Sequence, residues 1–382
     1  MFAVVPALVL GLITFWFYRR LIRATAIPRP WSWIGAAILI ALWALVLIAF
    51  ASGSLLNPAW ARFPAAIGMT WMAVGLYLSL GIILIGGASL IARLVHRLRP
   101  SDDAVFARRR LAALRVSTAI LVVGSLGTVG YGLTEAADPK VTTSQVQFDR
   151  LPEGFDGMRV AVISDLHVGP VRDRGFTQDV VNTVMAQSPD LIVLPGDLID
   201  GTVALVGDDL EPLRGLSAPL GVFAVSGNHE FYADDGGHWF DRWRELGIRP
   251  LLNERVALQR NGSTIDLTGI QDRTAPEPYA PDLAKALAGR DPTRFVMLAA
   301  HEPLQAEGAS DAGVDFQMSG HTHAGQIWPL RYLVPLQQPT VEGLDHIGNT
   351  TIYTTRGAGA WGPPVRVAAP PEISILELAA AR

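Results

Sequence analysis

The stretch Met158–Asp200 reads MRVAVISDLHVGPVRDRGFTQDVVNTVMAQSPDLIVLPGDLID. Its first segment, Met158–Ser164, is almost wholly apolar, as a strand covered on both faces must be. Thr177–Gln187 has the spacing of an amphipathic helix, and Asp190–Leu194 (DLIVL) is a second buried strand. Strand, helix, strand is the alternation of an α/β fold. Each strand runs straight into polar residues, Asp165-Leu166-His167 after the first and Gly196-Asp197-Leu198-Ile199-Asp200 after the second. Side chains at the carboxyl ends of strands are where α/β sheets gather ligands.

The same pattern continues toward the C-terminus. Gly221–Ser226 (GVFAVS) predicts a strand that delivers Gly227-Asn228-His229-Glu230, and His238–Gly247 predicts a helix ended by glycine. Arg255–Arg260 and Ser263–Thr268 flank Asn261-Gly262, a hairpin signal. Arg294–Ala300 ends at His301, and Val314–Met318 is followed by Gly320-His321-Thr322-His323. Thr351–Thr355 and Ile373–Leu378 supply closing strands. Mixed strands with intervening helices predict sheets covered by helices.

Five of the chain's eight histidines thus follow apolar strands, interleaved with Asp165, Asp197 and Asn228. Imidazole nitrogens, carboxylates and an amide carbonyl are borderline donors suited to divalent transition metals. A carboxylate such as that of Asp197 is able to bridge two ions, and two ions about 3.5–4 Å apart clamp a phosphate and polarise a water. Any one of these fragments is more often a structural residue, but the ordered set of five is a metal-site pattern. Cysteine is absent, so neither disulfides nor thiolate ligands contribute.

The series SDLHVGP, LPGDLID, VSGNHEFY, SGHTHAGQIWP and TTRGAGAWGPPVR resembles the calcineurin-like metallophosphoesterase superfamily, in its bacterial membrane-associated branch. The resemblance spans Met158–Leu378. It implies an αββα sandwich and a binuclear centre of Mn, Fe, Zn or Co. Asp165, His167, Asp197 and His323 would hold one ion, and Asp197, Asn228, His301 and His321 the other. A hydroxide between the ions would attack phosphorus in line. His229 would protonate the leaving group, oriented by the Asp200 carboxylate. Ala324 departs from the branch, which often has glycine there.

Other residues carry two readings. Arg172 and Arg174 are either phosphate-holding guanidinia or solvated loop charges. Arg356 and Arg366 are placed to line the cleft; Arg172 and Arg356 are the expected substrate-binding pair. Trp361 either faces substrate or packs in the core, and Glu230 either supports the ligands or is exposed.

Working toward the N-terminus, the chemistry of the chain changes. The first 140 residues carry 13 Lys+Arg against 4 Asp+Glu, and the remaining 242 carry 18 against 31. Four apolar runs, Phe2–Tyr18, Trp31–Ala51, Ile67–Ala92 and Val116–Leu133, lie near the ~20 residues that cross a bilayer, and none holds an Asp, Glu, Lys or Arg. Arginines crowd the connections after the first run (Arg19, Arg20, Arg23, Arg29) and after the third (Arg93 to Arg115), whereas the second connection has only Arg62. Positive connections stay in the cytoplasm, which predicts a multi-pass protein of the cytoplasmic membrane with its catalytic half on the extracytoplasmic side. The acidic half gives no sign of a nucleic-acid partner.

The expected organisation is therefore a membrane region over 1–137 with about four transmembrane helices, a linker and entering strand over 138–157, and a metallophosphoesterase domain over 158–382. The expected function is hydrolysis of a phosphomonoester or phosphodiester, on a lipid- or cell-wall-linked substrate. The alternative is a membrane sensor or transport component whose domain binds phosphate without turnover.

Overall fold

The structure, a computed structural model, describes residues 4–234 and 236–381 and falls into two compact units. The first, residues 1–51 and 61–132, is helical over its described residues. It contains α1 (Val4–Phe17), α2 (Arg29–Ala51), and most of α3 (Pro58–Leu98) and α4 (Asp103–Ala136). Among the described residues, α2, α3 and α4 are long and apolar enough to cross a membrane. The run expected over Phe2–Tyr18 begins outside the described residues; its described part is the 14-residue α1, continued by a π-helical turn, Tyr18–Arg23. The basic connection expected after the third run is mostly helix: α3 extends to Leu98 and α4 starts at Asp103. Arginine is a strong helix former, so nothing in that stretch stops the helices at the edge of the apolar run. Small residues let α2 and α3 approach closely, a Cβ on Gly68 falling 2.3 Å from Leu45 O.

The second unit comprises Ser52–Trp60 and Leu133–Arg382. Two six-stranded sheets form its centre. The first has the order β1 (Lys140–Phe148), β12 (Glu372–Ala380), β2 (Met158–Val162), β3 (Leu191–Pro195), β4 (Val222–Val225), β5 (Arg249–Pro250). The second runs β10 (Gly343–Ile347), β11 (Thr350–Thr354), β9 (Phe316–Ser319), β8 (Val296–Ala299), β7 (Ser263–Gly269), β6 (Glu254–Arg260). Within each, the strands that lead to the expected ligands are parallel neighbours: β2, β3 and β4 in one, β8 and β9 in the other. Segment 140–148, expected as an approach to the domain, is an integral edge strand, parallel to β12 over nine residues.

The apolar strands are buried on both faces. Val160, Val162, Leu191 and Val193 meet Leu267, Met297, Phe316 and Met318 between the sheets. On the outer face of the first sheet, Ala161, Ile192 and Leu194 pack with Val180 and Val184 of α5 (Arg174–Met185), Val206 of the short α6 (Val203–Val206), and Trp239 and Trp243 of α7 (Gly236–Glu245). Behind the second sheet, Val296 and Leu298 pack with Ala286 of α8 (Leu283–Leu287) and Ala309 of α9 (Ala306–Asp311). Helix, sheet, sheet, helix is the αββα sandwich expected from the sequence. The Asn261-Gly262 turn closes the β6–β7 hairpin, with φ of 49° and 79° as a two-residue turn of that kind requires.

Candidate metal centre

The expected ligands come from five loops at the carboxyl ends of β2, β3, β4, β8 and β9, each ligand within five residues of its strand. Their backbones are strained. Asp165, His167, Asp197, His321 and His323 all have φ between 48° and 70°, which costs a non-glycine residue about 1–2 kcal/mol each. Surrounding close packing holds them there. A Cβ on Gly227 would sit 2.1 Å from Asp197 Oδ1, and one on Gly320 2.2 Å from Asp165 Oδ2. Glycine at these positions lets backbone press against both carboxylates.

Three overlapping groups result: Asp165–His167–His323, His167–Asp197–His229, and Asp197–His301–His321, each with potential ligand atoms within 4.8 Å of one another. His167 Nε2 lies 3.1 Å from His323 Nε2, which is 3.3 Å from Asp165 Oδ1. On the other side, His301 Nε2 lies 3.2 Å from both Asp197 Oδ2 and His321 Nδ1. The outward nitrogens explain what these contacts need. His301 Nδ1 donates to Pro195 O at 2.7 Å, and His167 Nδ1 pairs with Asp200 Oδ1 at 2.9 Å. With those protons committed, a neutral ring of either residue presents its Nε2 lone pair to neighbouring oxygen and nitrogen lone pairs. A cation resolves that arrangement. Asn228 supplies a second indication: its Nδ2 donates to Tyr232 Oη at 2.8 Å, while its buried Oδ1 has no hydrogen-bond partner. The residues present therefore fit divalent metal ions.

Without a cation, the carboxylates favour a proton on His301 instead. Burial opposes charge on His301, but Asp197 lifts its pKa well above the imidazole range. Burial also opposes ionisation of Asp197, which His301 and His229 nevertheless hold well below the usual carboxylate range. His323 is pushed well below the imidazole range by burial and then by Arg366. A neutral ring is the ligating form.

Around the ligands lies a supporting layer. Asp200 Oδ1 touches both His167 Nδ1 and, at 2.5 Å, His229 Nδ1. Against the cost of burial, Asp197 and Asp200 raise the His229 pKa to about 9. The His229 main-chain N–H donates to Asp197 Oδ1 at 2.9 Å. Glu230 is buried and accepts from the N–H groups of Asp197, Leu198 and Gly227 at 3.1, 2.8 and 2.6 Å, so it shapes the Asp197 loop. Its position three residues after Gly227 could not reveal the bonds to Asp197 and Leu198, because those partners lie on another loop.

The arginines differ from expectation. Arg172 is buried, its Nη atoms on Ala136 O and Ala360 O, and burial lowers its pKa to about 10. Arg356 is paired with Glu372 at 2.6 Å and Glu342 at 3.2 Å. Their placement does not support the phosphate-holding role: one guanidinium is enclosed by protein and the other is engaged by two carboxylates. Arg174 is exposed and donates to Asp208 O. Arg366, also expected to line the cleft, is fully buried, with Nη1 donating to His323 O at 2.9 Å and Nη2 3.0 Å from His323 Nδ1. Trp361 is not a core residue; it is 59% exposed, its ring 6.3 Å from that of His229. Ala324 has φ 51°, which explains the glycine often found there in the branch it resembles.

Comparison with known proteins agrees with this geometry. Residues 158–325 match the family model of the calcineurin-like phosphoesterases. A transmembrane protein with metallophosphoesterase domain from Danio rerio is 34% identical over 81% of this chain and 73% of its own length. Its namesake from Bos taurus is 36% identical over 72% of this chain and 64% of its own length, so the chain spans slightly less than two thirds of that relative. An uncharacterized metallophosphoesterase of Bacillus subtilis is 31% identical over 65% of this chain and 90% of its own length. The chain belongs to the calcineurin-like metallophosphoesterases. It joins a metallophosphoesterase domain to apolar, membrane-length helices, and its substrate is a question for the site.

Proposed function

We propose that the chain is a membrane-anchored hydrolase of phosphomonoesters or phosphodiesters that works with two divalent metals. The observation that carries this reading is the pair of facing lone-pair clusters sharing Asp197. Asp165, His167, Asp197 and His323 would hold one ion, and Asp197, Asn228, His301 and His321 the other. Ions held there would supply Lewis acidity toward a phosphoryl group and a water made acidic enough to attack at neutral pH. The protein's own contribution is orientation and a proton. Asp200 holds His229 by Nδ1 at 2.5 Å, leaving Nε2 to donate to the departing oxygen. The main-chain N–H of His229 fixes the Asp197 carboxylate, so acid and shared ligand move together. The complete ligand set argues against a silent phosphate sensor.

The test uses the full-length chain, stripped with chelator and reloaded with Mn²⁺ or Zn²⁺. Aryl phosphomonoester and phosphodiester hydrolysis are compared. Metal-dependent turnover is expected, reduced by about 10³-fold or more in Asp197→Asn and about 10²–10⁴-fold in His229→Ala. Two bound metals and no turnover of either ester would contradict the proposal. The charge pattern of the helical half supports an extracytoplasmic catalytic unit; a C-terminal reporter active only in the cytoplasm would reverse that topology.

A further inference from the structure

Residues Ser52–Trp60 lie between two membrane-length helices in sequence, yet they belong to the catalytic unit. Gly53 O accepts from Thr202 N at 2.9 Å, two residues beyond Asp200. Neither side of this contact has room for a side chain. A Cβ on Gly53 (φ 84°) would meet Asp200 O at 2.5 Å, and one on Gly201 would meet Gly53 O at 2.5 Å. Asp200 in turn holds His167 and His229. A second tie involves Ala136, the last residue of α4, whose carbonyl accepts from Arg172 in the loop after His167. A short turn between two bilayer-length apolar helices resides at the membrane interface. The loops that position the candidate acid are therefore bonded to chain that the bilayer holds at its surface.

The exposed apolar side chains of this unit are a second observation. Leu55 of the turn is 80% exposed. Tyr232 follows the Asn228–His229 loop, with its ring 4.6 Å from that of His229. Trp328, in the turn after the His321–His323 loop, and Tyr332 and Leu336, on the two 3₁₀ turns that follow it, are exposed, Leu336 at 79%. Trp361 is fastened through its main chain, by two bonds of 2.8 Å, to the amide of Gln326, which directly follows the His323 turn. Tryptophan and tyrosine at a rim, with leucine beside them, are the residues that settle at a lipid–water boundary. A small hydrophilic ester gives no reason to keep Tyr232 and Trp361 uncovered beside His229.

We propose that the metal centre opens at the bilayer surface and takes the phosphate ester of a membrane lipid, whose apolar part is received by the rim of Tyr232, Trp328, Tyr332, Leu336 and Trp361. This rests on the hydrolase reading and deepens it. The chain lacks cysteine, so single nitroxide labels can be placed at Leu336→Cys and, as a control, at Asn261→Cys on the hairpin tip at the opposite end of β7. In full-length chain reconstituted into phosphatidylcholine vesicles, the label at 336 is expected to collide more with oxygen than with an aqueous nickel chelate. The label at 261 is expected to do the reverse. Equal aqueous access at both overturns the proposal, whatever the enzyme's activity.

A kinetic arm then uses the ester class identified with aryl substrates: phosphatidic acid for a monoesterase, phosphatidylglycerol for a diesterase. The double variant Tyr332→Asp/Leu336→Asp should lower the lipid-to-aryl ratio of kcat/KM about tenfold. An unchanged ratio, or aryl turnover with no lipid turnover, sinks the lipid assignment and leaves the hydrolase intact. Absence of aryl turnover with metals bound counts against the hydrolase itself, and the label at 336 still judges the surface.

Discussion

Helix α2 and strand β3 are built from similar side chains and bury them in opposite ways. Along α2, Ile34, Ile38, Ile40 and Phe50 are all at least half exposed on the protein surface. Along β3, Leu191, Ile192, Val193 and Leu194 are fully covered by protein. Hydrophobicity specifies a solvent, and the element's length specifies which one: 23 residues of helix match a bilayer core, whereas five residues of strand match a sheet interior. The glycines and polar residues that follow β3 then become a site, because strands ending together bring their next residues together. Nothing equivalent follows the helices.

Placing a charge on each tests the contrast. Val193→Asp, an unpaired carboxylate between the sheets, should cost more than about 4 kcal/mol and leave the catalytic unit unfolded at ordinary temperature, as seen by urea titration. Ile40→Asp in mid-α2 should cost about 2.5–3.5 kcal/mol of insertion instead, read as a drop in the membrane-inserted fraction while any protein that does insert keeps its metal site. If both substitutions behave alike, the assignment of two solvents is wrong.

The site itself sharpens the comparison at smaller scale. His229 rises from an ordinary 6.5 to about 9 in the metal-free protein. A raised pKa adds stability that is complete below pH 6.5 and disappears as pH climbs through 9. Chelator-stripped chain should thus lose stability over that window, and Asp200→Asn should remove much of the slope. A slope unchanged by the substitution would detach His229 from Asp200. The smallest effect belongs to Ala324→Gly: relief of a left-handed alanine, partly offset by unfolded-chain entropy, should raise stability by several tenths to about 1 kcal/mol in thermal melts without changing activity.

Much of this was legible in the one-dimensional pattern. Apolar runs located β2, β3, β4, β8 and β9, the Asn261-Gly262 pair located a hairpin, and the residues following the runs supplied every member of the metal-fitting groups. These features are local: a strand's burial and a turn's φ preference depend on a few consecutive residues. Helix ends were less legible, since the arginine-rich flanks of α3 and α4 are as helical as the apolar middle.

Residue types alone determined that a histidine- and carboxylate-rich α/β unit is joined to an apolar helical region, because period and composition reflect solvent directly. Only the tertiary structure decided the rest. It enclosed Arg172 among carbonyls, paired Arg356 with Glu342 and Glu372, set Arg366 against His323, and fastened Glu230 to the Asp197 loop. It also placed the turn at Gly53 against the loop of Asp200. Each of these outcomes turns on which distant group reaches a charge or a carbonyl first, and that competition is settled by packing in three dimensions.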